Sequence, residues 1–430
     1  MSARHVTRAL LLIAVAACSA TPAPDPALRA ATADARGELQ RLIDTCASAA
    51  ACPAVYLEAG IYTIQTPSPP RTVALLDVRV PLIGAPGGTT IRCVGDTGGL
   101  DWRCLQVRSA ASLRRLRIET DLSSVAEQTH AIRVDGPAAG VVLADLSIDH
   151  PTAGGGDAIQ IVGYSPDRLV TELEIGRVEV TRSSRSGIAI HSGLHRARLH
   201  HLAFSAIADQ SIDGEGSGDT EDVTIDHVTD DRTGPTTTSI QVMSWTRLRI
   251  TDAALTGGVD LYGCADCLIA DSRISQARPT ADAVLAIRKA SPVVTVRDTT
   301  IERMPGAGAA PVVAVSRRIG SPRDVVLVDV SIVQHAPAVA LHAIGVDGLR
   351  LSRVSIGYDG PPIVGRVDAV QVTGATDRVL IEDTRIGGAY RAAVLSASAG
   401  SLTVDRSWMP LGVRCEQTGP VVIDGAVGCP

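Results

Sequence analysis

From about residue 113 onward the chain repeats one pattern: apolar residues alternating with others, a polar residue, then apolar residues again. It appears as LRRLRI at 113–118, LADLSI at 143–148 and IGRVEV at 175–180, and last as IEDTRI at 381–386 and VDRSWM at 404–409. The third position forms a polar register: Arg115, Asp145, Arg177, His201, His227, Asp252, Asp271, Asp298, Asp329, Arg353, Asp383 and Arg406. Its mean spacing of about 26 residues lies in the range that marks solenoids and repeat arrays. A second short strand precedes each unit, as in AIQIV (158–162), GIAIH (187–191), SIDGE (211–215), GVDLY (258–262) and VLAIR (284–288). Alternating apolar positions predict one buried face for it. Gly, Pro, Asp and Ser punctuate the joins, and no long amphipathic helix falls inside the repeats, which disfavours helical solenoids and strand–helix repeats. The pattern therefore predicts short parallel strands wound into coils, each burying Ile, Val and Leu on the coils above and below.

Upstream, Ala35 to Ala47 places Leu39, Leu42 and Ile43 on one helical face. VYLEAGIYTI follows at 55–64. With these features the chain resembles the right-handed parallel β-helix, or pectin-lyase-like, superfamily over roughly residues 50–410. The resemblance implies an all-β, single-stranded right-handed parallel β-helix of about 12 coils, with the short N-terminal helix plugging the open end of the core. In that family inward bends often stack Asn side chains. This chain has no Asn, so the Asp/Arg/His register is expected to take that place. Stacked unpaired acids repel, which leaves the run Asp252, Asp271, Asp298 and Asp329 either exposed or paired with Arg and backbone N–H. The family's catalytic signatures do not transfer cleanly. Asp157-Ala158-Ile159-Gln160-Ile161 resembles a polygalacturonase strand with Gln160 in place of the second carboxylate. Ile287-Arg288-Lys289 resembles an Arg-Ile-Lys motif in composition but not in order.

Composition narrows the function classes. The net charge is −6, and without residues 1–17 the balance is 38 basic against 46 acidic residues, which argues against nucleic acid as a partner. One Phe, three Trp and six Tyr make a base-stacking platform equally unsuitable. The N-terminus carries Arg4 and Arg8 before an apolar run from Ala9 to Ala17, a signal-peptide pattern too short for a membrane span. Val15-Ala16-Ala17-Cys18 resembles a bacterial lipobox, which implies lipidation at Cys18, a membrane anchor and export to the outer membrane of a Gram-negative cell, with an ordinary cleaved signal as the alternative. The expected organisation is a leader at 1–17, an anchor and Pro/Ala tether at 18–33, a cap helix at 34–47, the β-helix at 48–409 and a C-terminal cap at 410–430. The remaining eight cysteines form four local pairs, expected as disulfides in an oxidising compartment: Cys46/Cys52, Cys93/Cys104, Cys264/Cys267 and Cys415/Cys429. A redox or zinc role for Cys264 and Cys267 lacks a supporting fold pattern or a second ligand pair.

The outward face of the first strand gathers the residues with chemistry. One column runs Arg133, Gln160, Ala189, Asp213, Gln241, Asp260, Ala286, Ala314, Ala340; the next runs Asp135, Val162, His191, Glu215, Met243, Tyr262, Arg288, Ser316, His342. Coils stack roughly 4.8 Å apart and alternate residues lie roughly 7 Å apart, so His191 should neighbour Glu215. Carboxylates of Asp213 and Glu215 about 5–9 Å apart would span the range used in glycoside hydrolysis. Three readings follow: a polysaccharide lyase, with His191, Tyr262 or Arg288 as base or acid and Ca²⁺ held by Asp213, Glu215 and Asp260; a glycoside hydrolase using Asp213 with Glu215 or Asp260; or a non-catalytic glycan-binding or spacer rod. Arg133, Gln160 and Gln241 are candidate substrate contacts, and Tyr164, Trp245 and Tyr262 candidate sugar platforms. His201 and His227, in the repeated polar register, are read as structural. The acidic, glycine-rich run from Asp213 to Asp219 reads as a turn between coils or a Ca²⁺ loop.

Overall fold

The computed structural model describes residues 34–67, 74–96, 101–123, 129–151, 155–164, 166–216, 219–231, 238–278, 280, 282–317, 320–360, 367–388, 390–397, 400–416, 421–423 and 426–427. Cys18 and the tether lie outside them. The chain winds into a parallel β-solenoid. One strand per coil enters a 14-stranded sheet, and the others form a 26-stranded sheet that wraps the opposite side of the core. The 14-stranded sheet begins with Ala74–Val78 and Trp102–Val107, ahead of the visible repeat, and ends with Val413–Glu416. Val421–Ile423 still pairs in parallel with Leu402–Asp405, so winding continues past residue 409.

Each coil carries the same inward residues in register. From Ile132 through Ile159, Ile188, Ile212, Ile240 and Val259 the column is β-branched and buried, and each side chain covers the one below. Each such burial is worth about 1.5–3 kcal/mol. The neighbouring inward column runs Ile161, Ile190, Gly214, Val242, Leu261. Gly214 leaves a gap there that Trp245 fills: a Cβ at Gly214 would sit 2.5 Å from the indole.

The polar register marks the corner between two strands of the larger sheet. All twelve residues, from Arg115 to Arg406, have φ between 46° and 56°, the left-handed region, and all are exposed. The expected inward ladder is therefore absent at these positions: positive φ turns each side chain out to solvent. Several of the acids meet bases, most of them on an adjacent coil. Arg177 Nε lies 2.5 Å from Asp145, Arg353 Nη2 lies 2.7 Å from Asp329, and Arg406 Nη2 lies 2.9 Å from Asp383. Asp271 and Asp298 share Arg297. Both outcomes left open by the sequence, exposure and pairing, occur together.

The ends are closed by different means. Helix α1 (Arg36–Ser48) buries Leu39, Ile43 and Cys46. Its Gln40 side chain accepts from the Asp77 N–H at 2.9 Å and donates to the Asp77 carbonyl at 3.2 Å, and Arg36 Nε donates to the Leu75 carbonyl. The helix thus takes up backbone groups that an open first strand would leave unpaired. At the far end Ala426–Val427 turns back antiparallel on Val421–Ile423. Disulfides join Cys46 to Cys52, Cys93 to Cys104 and Cys264 to Cys267. The last bond engages both sulfurs that a zinc ion would need. Cys415 is disulfide-bonded too, and Cys429 lies outside the described residues. No helix among the described residues is long and apolar enough to cross a membrane.

Candidate functional site

The outward columns of the 14-stranded sheet fall in the expected register through the middle coils. Gln160 pairs with Arg133 and Ala189, Ala189 with Asp213, Asp213 with Gln241, and Gln241 with Asp260; His191 pairs with Glu215 and Tyr262 with Arg288. One later position shifts. His342 stands opposite Ala314 in the first column, where Ala340 was expected, and Ile344 takes the second.

Side-chain contacts divide these residues into two groups. The first centres on Arg185, in the turn before strand Ile188–His191. Its backbone N–H donates to the Gly156 carbonyl at 3.1 Å, which fixes the turn. Its guanidinium contacts Glu215, reaches Asp213 Oδ2 at 3.4 Å and approaches Asp157 Oδ2 at 3.6 Å. His191 Nδ1 donates to Glu215 Oε2 at 3.1 Å, and its Nε2 meets the Gln160 amide at 3.0 Å. Asp157 receives the Ser186 N–H at 3.2 Å, and its own N–H donates to Nδ1 of the buried His130. The second group lies further along. Arg288 lies 3.5 Å from Asp260 and 3.2 Å from Asp282, and Lys289 stands over the Tyr262 ring at 5.3 Å. Arg133 bonds Asp135 at 2.6 Å and approaches Asp101. Among the six candidate catalytic residues, His191, Asp213 and Glu215 come together; Asp260, Tyr262 and Arg288 form the other group, with Gln241 between them. Asp213, Glu215 and Asp260 do not converge on one point as a shared Ca²⁺ site would require: Asp260 lies two strands from Asp213 and pairs with Arg288, whereas Asp213 and Glu215 meet Arg185.

Burial sets the protonation states. Asp213 is 3% exposed, and desolvation pushes its carboxyl up to about 6 against the opposing pull of Arg185. Desolvation also raises Asp157, to about 7. It lowers His191 to about 4, with Arg185 and Arg133 adding to the effect, and holds His130 well below its usual value. The His191–Glu215 contact is therefore a hydrogen bond from a neutral imidazole. Near neutral pH the cluster holds a carboxyl close to its own titration point, an Arg-paired carboxylate and a neutral imidazole. Glu215, His191 and Arg185 present appreciable side-chain surface, 33%, 22% and 21%, whereas Asp213 and Asp157 do not. A groove of about 510 Å³ opens on another flank, along Arg115, Asp145, Arg177 and His201, away from these acids.

No protein-family model and no curated sequence matches the chain. Solved structures do match in shape. A mutant tailspike protein of E. coli bacteriophage HK620, in complex with a pentasaccharide, is 11% identical and covers 93% of this chain and 77% of its own at a TM-score of 0.54. The catalytic domain of a GH87 α-1,3-glucanase mutant, in complex with tetrasaccharides, is 10% identical and covers 78% and 65% at 0.53. The A-module of Azotobacter vinelandii mannuronan C-5 epimerase AlgE4 is 16% identical and covers 94% and 96% at 0.44. The chain folds as a right-handed parallel β-helix.

Within this β-helix the cluster includes Arg185, Asp157 and His130, which column reading overlooked. They sit in turns or at strand entries, outside the alternating positions. Arg185 was signalled only by charge beside a strand start, in Arg182-Ser183-Ser184-Arg185, and Asp157 only by the polygalacturonase-like strand that it opens. Asp213-Gly214-Glu215 is strand rather than turn or Ca²⁺ loop. Trp245 is buried under Gly214 and is no sugar platform; Tyr164 is 60% exposed, with Arg168 over its ring.

Proposed function

We propose that this β-helix cleaves polysaccharide at the Asp213–Glu215–His191–Arg185 cluster, as a glycoside hydrolase. The observation that carries the reading is the pair Asp213 and Glu215. Burial raises the first to about 6, so that it keeps its proton into mildly acidic pH, while the second is paired with Arg185 and reaches solvent. A proton donor beside a carboxylate is the division of labour that glycosidic cleavage needs. Asp213 would protonate the leaving oxygen, and Glu215 would act on the anomeric side. Both meet the same guanidinium, which favours the short carboxylate separation of a retaining pair, about 5–5.5 Å, over the wider gap that admits a water. The oligosaccharide complexes of the tailspike and glucanase neighbours support a carbohydrate ligand through fold likeness alone.

His191 favours a second reading, a lyase: a neutral imidazole could take the proton beside a uronate carboxylate that Arg185 neutralises. Purified protein incubated with neutral and uronate polysaccharides separates the two. New reducing ends without ultraviolet-absorbing unsaturated ends indicate the hydrolase; unsaturated ends indicate the lyase. The pH profiles differ as well. With Asp213 as acid, the rate falls as pH rises through about 6. With His191 as base, the rate climbs through about 4 and holds toward neutrality. No product from either class of polymer would overturn both. The leader and lipobox motivate a further proposal, that the protein works outside the cytoplasmic membrane on a lipid anchor at Cys18. Cys18→Ser should then release it from membrane fractions, and unchanged retention would refute anchoring.

A further inference from the structure

On another flank than the acid cluster, two successive coils bring three imidazoles and a carboxylate to one corner, and the preceding coil adds Glu174. His200 and His201 are sequence neighbours, and on a regular strand their rings would point to opposite faces. The left-handed backbone at His201, φ 53°, breaks that alternation and lets the two Nδ1 atoms approach to 3.0 Å. Asp226 stands opposite His200 on the next coil. Ligand atoms of His200, His201 and Asp226 all lie within 4.8 Å of one another, and His200 and Asp226 are buried. Gly176 on the preceding coil makes room for the His200 ring: a Cβ there would meet Nε2 at 2.4 Å.

We infer that His200, His201 and Asp226 form a binding site for a divalent transition metal, of which Zn²⁺ is the simplest probe. Two imidazole nitrogens and a carboxylate oxygen are a donor set of the type that zinc accepts, with a position left for water. The surroundings match what such ligands require. His200 Nε2 lies 3.3 Å from Glu174 Oε1, so its N–H points to a carboxylate and its Nδ1 lone pair faces the site. Asp226 is fixed by His227 Nδ1 at 2.8 Å and Arg198 Nε at 3.1 Å, and each carboxylate oxygen keeps a second lone pair. His227 stacks on His201 at 4.5 Å, nearly parallel, and holds the exposed ring in place. Without metal, His201 Nδ1 donates to His200 Nδ1. On binding, that proton moves to Nε2 at the ring's outer edge, so no net proton release is needed. His201, read from the sequence as structural, and its partners lie outside the carbohydrate cluster, and the inference stands independently of it.

Calorimetric titration of untagged, metal-free protein with ZnCl₂ tests the site. One equivalent should bind, with affinity at least tenfold weaker in His201→Ala and in Asp226→Asn and unchanged in His335→Ala, whose imidazole sits on another coil against Glu302. His201 is exposed, so its variant should keep the wild-type circular dichroism. Absence of stoichiometric binding, or equal binding by His201→Ala and wild type, would overturn the inference.

Discussion

At the scale of single residues, the account depends on how burial moves carboxyl groups. Asp157 titrates near 7 in the folded chain and near ~3.9 in an unfolded one. The native state therefore holds a proton that the unfolded state releases. The stability this contributes is fully present below about pH 4 and is lost as pH rises through 7. Asp157→Asn keeps an acceptor for the Ser186 N–H and removes the titration. Its melting temperature relative to wild type should rise steadily between pH 4 and 7; a difference that stays flat would contradict the buried-acid reading. His150 and His191, both lowered to about 4, act in the opposite sense, and their contribution fades as pH falls from 6.5 through 4. Part of this chemistry was legible in the sequence. His191, Asp213 and Glu215 occupy alternating strand positions, so stacking alone made them neighbours. Arg185 and Asp157 were hidden because turn residues have no fixed direction until the coil is built.

At the scale of elements, strand Ile212–Glu215 couples the core to the candidate site. Asp213 and Glu215 point out, while Gly214 between them points in and accommodates Trp245. Gly214→Ala forces the methyl against the indole, an overpacking that costs about 1–3 kcal/mol. Thermal unfolding should show the loss, and activity should fall with it because the strand carries both acids; an unchanged melting temperature would mean that the ring is free to move aside. The corners teach a related lesson. In the repeat register the sequence marked each left-handed corner as polar but could not give its direction. Positive φ sends those side chains outward, where Asp and Arg pair across coils, while the inward columns are built mainly from Ile, Val and Leu. An inward polar ladder was expected because the family resemblance supplied one.

At the scale of the whole molecule, length comes from repetition and the ends from separate devices. Parallel stacking was legible because a period of about 26 residues survived in the apolar pattern; the first coils, with Ala74–Val78 and Trp102–Val107, precede that repeat and were assigned to the β-helix by family resemblance alone. Non-reducing peptide mapping should recover Cys46–Cys52, Cys93–Cys104 and Cys264–Cys267 as linked peptides, with Cys415 linked to Cys429. Free thiols at any of the first three pairs would contradict the structure, and a different partner for Cys415 would contradict the proposed terminal loop.

The most direct test of the functional account compares wild type with Asp213→Asn, Glu215→Gln and Asp383→Asn on whichever polysaccharide the native protein degrades, by rate of chain-end release. The account predicts at least a hundredfold loss for the first two, with folding intact by circular dichroism, and a wild-type rate for Asp383→Asn at its distant corner. Wild-type rates in Asp213→Asn and Glu215→Gln would show that this cluster only braces the coil and that the chemistry lies elsewhere.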